Sequence, residues 1–176
     1  MLTYRVLSAA QISPDLFAQF QRRQEVTKCW RKTDGIWTIR DIAFIDEWSP
    51  REFKELLAHL RAQCRAGGLV FAAFSNGAMK GFVCVDAGLF GSRRQYMDLS
   101  HIYVSQDMRK KGIGRRLFEQ AKAYAKAHDA QKLYISAHSA VESQAFYRAL
   151  GCVEAAEYSL SHVEKEPCDC QLECRL

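Results

Sequence analysis

Apolar positions recur every three to four residues in several stretches of the chain, and that period predicts helices. Phe53, Leu56, Leu57 and Leu60 form one stripe. Ser49-Pro50 supplies its N-cap and a proline at the first helical position, and Gly67-Gly68 ends it. Ile113, Leu117, Ala121 and Tyr124/Ala125 form a second stripe within Gly112–His128, with Arg115, Arg116, Lys122 and Lys126 on the wet side. Val141–Leu150 is a shorter helix stopped by Gly151, and Ser13 predicts a further helix over Pro14–Arg23. Short apolar runs between turn signals predict strands at Leu2–Leu7, Leu69–Phe74, Lys80–Val85, about 95–105, Lys132–Ala137, about 153–159 and about 168–175. Asn76-Gly77 is a hairpin signal between the second and third of these. Residues 25–48 hold two short strand-like runs around the turn Thr33-Asp34-Gly35. This order predicts an α+β domain: one mixed sheet with helices on both faces.

A chain of 176 residues is the size of a single domain, 1–176, and buries a full core without disulfides or a metal. A hydrophobic share of 48% excludes disorder as the dominant state. No run approaches the ~20 apolar residues of a membrane-spanning helix, so no membrane partner is expected. Residues 1–8 lack a basic segment followed by an apolar one, which predicts a cytoplasmic protein. The seven cysteines are odd in number and scattered, as suits free thiols in a reducing compartment. The net charge of +5 is compatible with an anionic ligand. Its basic residues are not interleaved with aromatics on one surface, so nucleic acid is not an expected partner.

The most informative segment is His101–Leu117. A strand stops, a basic turn follows, and Gly112-Ile113-Gly114 opens an amphipathic helix. The first turn of a helix offers unpaired N–H groups and a partial positive charge, and glycine lets a ligand approach that backbone. Arg109, Lys110, Lys111 and Arg115 add formal charge, making an anion site suited to phosphates. Neither G-x-x-x-x-G-K-[ST] nor the third glycine of the dinucleotide fingerprint is present, so those two nucleotide motifs are excluded.

Arg109-Lys-Lys-Gly112-Ile-Gly114 resembles the Gln/Arg-x-x-Gly-x-Gly/Ala signature of the GNAT superfamily of acyl-CoA-dependent N-acyltransferases. A second block, Phe146-Tyr147-Arg-Ala-Leu-Gly151, is similar to that family's last helix and turn, at the right spacing. The likeness covers residues 69–160 best. It implies the GNAT fold: a central, mostly antiparallel sheet of six to seven strands, splayed at its one parallel pair. It implies that residues 95–128 form the CoA pyrophosphate-binding strand, turn and helix, with the backbone of 109–115 on the pyrophosphate. Residues 132–160 are then the second CoA-binding block, and 25–48 an insert on the acceptor side. Ile102, Tyr103 and Val104 pair with the pantetheine arm, and Ile113 and Phe146 are further cofactor contacts. Many members carry Asn before the last helix where this chain has His138-Ser139-Ala140; the Ser143 hydroxyl is the candidate replacement.

Acyl transfer to an amine needs a base for the amine, a donor for the developing oxyanion and an acid for the thiolate. The resemblance makes Tyr147 the acid, and a phenol of pKa ~10 is protonated at neutral pH. Asp98, eleven residues before Arg109, is the candidate base or amine-orienting group. Strict alternation puts it on one strand face with Tyr96, Ser100 and Ile102, and His101 on the other unless a bulge intervenes. The alternative is a buried Asp98 that only orders the loop at Phe90–Arg94. His138 is a second candidate base, and a backbone N–H near Tyr103 or Val104 the oxyanion donor. Trp30, Trp48 and Asp46 form either an acceptor wall suited to an organic ammonium or ordinary core, and Ser100 is a further acceptor contact. No metal site is expected: Cys168, Cys170 and Cys174 lack zinc spacing and read as small hydrophobes. The expected activity is acetyl transfer from acetyl-CoA to a small-molecule amine. Protein lysine or N-terminal acetylation is the alternative, and a non-catalytic CoA-binding module the reading from another class. C-terminal edge strands leave a homodimer open.

Overall fold

The computed structural model describes residues 1–176. Seven strands form one sheet: β1 (Leu2–Val6), β4 (Leu69–Ser75), β5 (Ala78–Val85), β6 (Tyr96–Val104), β7 (Lys132–Ala137), β9 (Cys170–Arg175) and β8 (Val153–Glu154), in that order across it. All neighbours are antiparallel except β6 and β7, whose ladder joins only Tyr96–Asp98 to Lys132–Tyr134. From Leu99 onward the two strands part, leaving facing edges of unpaired backbone groups. β2 (Gln24–Thr33) and β3 (Ile36–Asp46) make a separate two-stranded ribbon. It lies on the start of α3 (Val141–Ala149), where the Trp30 N–H donates to the Ser139 carbonyl at 2.8 Å.

Alternation along β4 explains the two cores. Leu69, Phe71 and Ala73 join the cluster under α2 (Ile113–Ala127) and α3, while Val70, Ala72 and Phe74 join the cluster under α1 (Pro50–Ala66). α1 begins with a full capping box: the Ser49 hydroxyl accepts from the Glu52 N–H, and the Glu52 carboxylate accepts from the Ser49 N–H. Gly81 in β5 sits where α2 comes closest. A Cβ there would lie 2.9 Å from Ile113 Cγ2 and 3.3 Å from the Tyr103 carbonyl. Gly81→Ala is therefore expected to cost about 1–3 kcal/mol, read as a lower denaturant midpoint at unchanged m-value.

Three sequence expectations change. Pro14–Arg23 is not an α-helix; a single 3₁₀ turn covers Pro14–Phe17. The backbone then leaves the helical path: the Gln21 N–H donates to Ser105 Oγ at 2.9 Å, and the Gln21 carbonyl accepts from Gln106. Residues 153–159 give only the two-residue β8, and a short helix, α4 (Leu160–Lys165), follows. The register of β5 against β6 shifts between Cys84–His101 and Val85–Leu99, so Ser100 is the extra residue of a bulge. Past it, His101 shares the α1 side with Ser100, while Ile102 packs toward α2, opposite to the strict-alternation expectation. No helix is long and apolar enough to cross a membrane.

Candidate active site

A cavity of about 590 Å³ opens where β6 and β7 diverge, bounded by the β6–α2 turn, α2 and α3. Gly112 is the N-cap of α2, with φ +80° and no side chain to cap the helix, and the first turn holds no acidic residue. Lys110 is also left-handed, at φ +61°. The first-turn N–H groups are thus left for an anion, with Arg109, Lys110 and Arg115 on the cavity wall beside them. Lys111 is not on that wall; its ammonium folds back toward the Asp107 carbonyl and Met108 sulfur.

Arg109 donates to the Val104 carbonyl at 3.3 Å and the Arg23 carbonyl at 2.7 Å, tying the turn to the segment before β2. Burial and the nearby Arg22 charge lower its pKa. Arg22, which no motif flagged, reaches the same cavity. It pairs with Asp46 at 2.6 Å, lies over the Tyr103 ring, and leaves a buried Nε without a partner.

Ile102, Tyr103 and Val104 from β6, Ile113 and Gly114 from α2, and Ser143, Phe146 and Tyr147 from α3 line the same cavity. A Cβ on Gly114 would meet the Phe146 ring at 3.0 Å, so that glycine lets α3 close on α2. Tyr147 is buried against Phe118 and Phe146, and its hydroxyl bonds to no protein group. Burial pushes its pKa far above the ordinary phenol value.

A smaller cavity of about 320 Å³ lies off the other end of β6, between the β5–β6 connection and α4. Asp98 and Asp86 both line it. His162 of α4 lies 2.7 Å from Asp98 Oδ2, while Oδ1 is buried with no partner. Burial raises the Asp98 pKa, and the bond to Asp98 raises that of His162. Asp86 Oδ1 receives Ser100 Oγ at 2.5 Å and His59 Nε2 at 2.9 Å, and Oδ2 bonds to no protein group. Burial opposes ionisation of Asp86, but these bonds hold its pKa below the usual carboxylate value. Burial pushes His101, beside His59, down to about 4. Cys84, His59 and Asp86 bring S, N and O donors within 4.8 Å of one another. Their bonding is that of a hydrogen-bonded network, and burial raises the Cys84 thiol pKa.

The family model of the acetyltransferase (GNAT) family matches residues 33–152. The chain belongs to that family. No curated protein matches the sequence. Among solved structures, a candidate streptothricin acetyltransferase from Bacillus anthracis, in complex with acetyl coenzyme A, superposes with a TM-score of 0.74. It is 17% identical and covers 100% of this chain and 99% of its own. Nourseothricin acetyltransferase gives 0.66 at 16% identity, covering 98% and 95%. PaiA N-acetyltransferase from Thermoplasma acidophilum, with coenzyme A, gives 0.63 at 14% identity, covering 100% and 99%. The sheet and its parallel pair are the GNAT fold, and the protein is an acyltransferase of that family.

In this GNAT protein the turn that opens α2, the β6 edge, Ser143, Phe146 and Tyr147 line the large cavity, and Asp98 lines the smaller one. Trp30, Trp48 and Asp46 line neither cavity. Trp48 packs among Phe17, Phe20, Phe53 and Tyr103, Trp30 lies under Arg148, and Asp46 holds Arg22. Residues 25–48 reach the large cavity through Glu25 alone. His138 accepts from the Ala140 N–H and sits against Phe44, away from both cavities. Cys170 and Cys174 are buried and Cys168 is exposed.

Proposed function

We propose that this GNAT protein is a cytoplasmic enzyme that moves an acetyl group from acetyl-CoA to the primary amine of a small molecule, directly, within a ternary complex. The observation that carries this is one cavity holding an open helix N-terminus, an unpaired strand edge and a buried tyrosine whose hydroxyl has no protein partner. Acetyl-CoA supplies the acyl group as an activated thioester. The α2 N-terminal turn with Lys110 and Arg115 holds its pyrophosphate, and the β6 edge at Ile102–Val104 pairs with the pantetheine amides. An N–H of that edge, at Tyr103 or Val104, meets the carbonyl oxygen as it gains charge. Asp98, steadied by His162 at the neighbouring cavity, takes the proton of the amine through a water, and Tyr147 donates to the leaving sulfur. The small-molecule acceptor is supported by similar structures named for streptothricin and nourseothricin. The seven unpaired thiols suit a reducing cytoplasm.

Calorimetric titration should show acetyl-CoA binding at one site per chain, and thiol release should then depend on added primary amine. Mass spectrometry of the protein with acetyl-CoA alone should show no acetylated chain. An acetylated side chain that forms and decays with turnover would overturn direct transfer, and absence of binding would overturn the whole reading.

A further inference from the structure

Two thiols that the transfer chemistry does not use meet beneath the end of α3. Val153 of β8 pairs with Glu173 of β9 in antiparallel register, so Cys152, the residue before β8, comes opposite Cys174. The Ala155 N–H donates to the Gln171 carbonyl, which makes 155 with 171, and 153 with 173, the hydrogen-bonded positions of this ladder. Cys152 and Cys174 therefore fall at the other kind of position, where facing side chains come closest. The Cys152 N–H turns away to the Tyr147 carbonyl at 3.0 Å, and Cys174 Sγ lies 3.8 Å from the Leu150 carbonyl. Both thiols belong to the main core cluster, 5% and 3% exposed, and lie within hydrogen-bonding reach of each other. The bond from Cys152 and the nearby Lys122 ammonium lower the pKa of Cys174, and the same contact raises that of Cys152. One sulfur is thus the better nucleophile, and its neighbour keeps its proton. The strand that covers them, β8, is two residues long at the edge of the sheet, with Val153 exposed. So short an edge opens locally at low cost and admits an oxidant little larger than water.

We propose that Cys152 and Cys174 form a modification site, a dithiol that hydrogen peroxide oxidises reversibly to a disulfide. The Cys174 thiolate attacks one peroxide oxygen. The O–O bond breaks, the sulfur becomes a sulfenic acid, and the departing hydroxide takes up a proton as water. The Cys152 sulfur then attacks the sulfenic sulfur. The S–S bond forms, and the hydroxyl leaves with the Cys152 proton as a second water. Two thiols lose two electrons, and one peroxide is reduced to two waters. The bond closes the loop 153–173, which carries α4 and His162, the partner of Asp98. Its formation depends on no step of acetyl transfer.

The test treats the native protein with hydrogen peroxide, blocks the remaining thiols with iodoacetamide and maps the peptides without reductant. The expected product is a peptide pair joined through Cys152 and Cys174, with a loss of two hydrogens that dithiothreitol restores. Cys168→Ser, which removes the exposed thiol, should give the same linkage. The oxidised wild type should unfold about 5–10 °C higher, as expected for a closed loop of this length. In Cys152→Ser the same treatment should leave the midpoint where it was. Peroxide that converts Cys168 while Cys152 and Cys174 stay free thiols overturns the inference. So does a Cys152–Cys174 bond that forms only after denaturation, or one that does not raise the midpoint, since the folded chain would then not hold the pair in place. A rise that persists in Cys152→Ser assigns the stabilisation to another pair and overturns it as well.

Discussion

Tyr147→Phe is expected to lower kcat about 10²-fold or more, the low end of what a positioned proton donor contributes, and to leave acetyl-CoA affinity unchanged. The change removes one oxygen and no carbon. Contacts with Phe118 and Phe146 survive, and no hydrogen bond within the protein is lost, so the thermal midpoint should hardly move. A loss confined to kcat then reports an interaction made chiefly in the transition state. The raised pKa adds a second expectation. A phenol this hard to ionise remains a donor through the alkaline range, so Tyr147 should contribute no fall in rate between pH 7 and about 9. Steady-state thiol release across pH is the measurement, and a Phe variant within twofold of wild type would remove Tyr147 from the chemistry.

The largest effect on donor binding is expected from Gly112→Asp. At φ +80° any side chain is strained, which costs about 1–3 kcal/mol. Aspartate adds a negative charge where the open N–H groups await phosphate, and the Kd for acetyl-CoA should rise about 10²-fold or more, since each lost charged hydrogen bond is worth about 1.5–3 kcal/mol. Gly112→Ala separates the two causes. It carries the backbone strain without the charge, so its stability should fall about as much while its Kd rises far less. Calorimetric titration decides, and an Asp variant that binds like wild type would place the pyrophosphate elsewhere.

What could be read in advance, and what could not, follows from the range of the interactions. The basic turn that opens α2 was legible because its signals are local: a strand stop, three basic residues and two glycines within a few positions. α1 and α2 were legible because their stripes run for several turns. α4 was not, since six residues carry too little of a period. The Ser100 bulge left no mark, because Leu99-Ser100-His101-Ile102 suits either register and the choice is made by pairing with β5. Asp86 with His59, and Arg22 with Asp46, are 27 and 24 residues apart and belong to no motif. For Trp30 and Trp48, composition left a ligand wall and core packing equally open, and the contacts of the folded chain are those of packing.

The three-residue ladder between β6 and β7 leaves the sheet as two panels, one of four strands and one of three, stitched by backbone only over Gln95–Asp98. A donor molecule bound in that seam, as proposed, would act as the missing strand and brace one panel against the other. Saturation at about a hundred times Kd would then add about 2.7 kcal/mol to the folded state. In a cell whose proteases sample the open form, the lifetime of this protein would follow the supply of its own acyl donor, so scarcity would thin the enzyme as well as slow it.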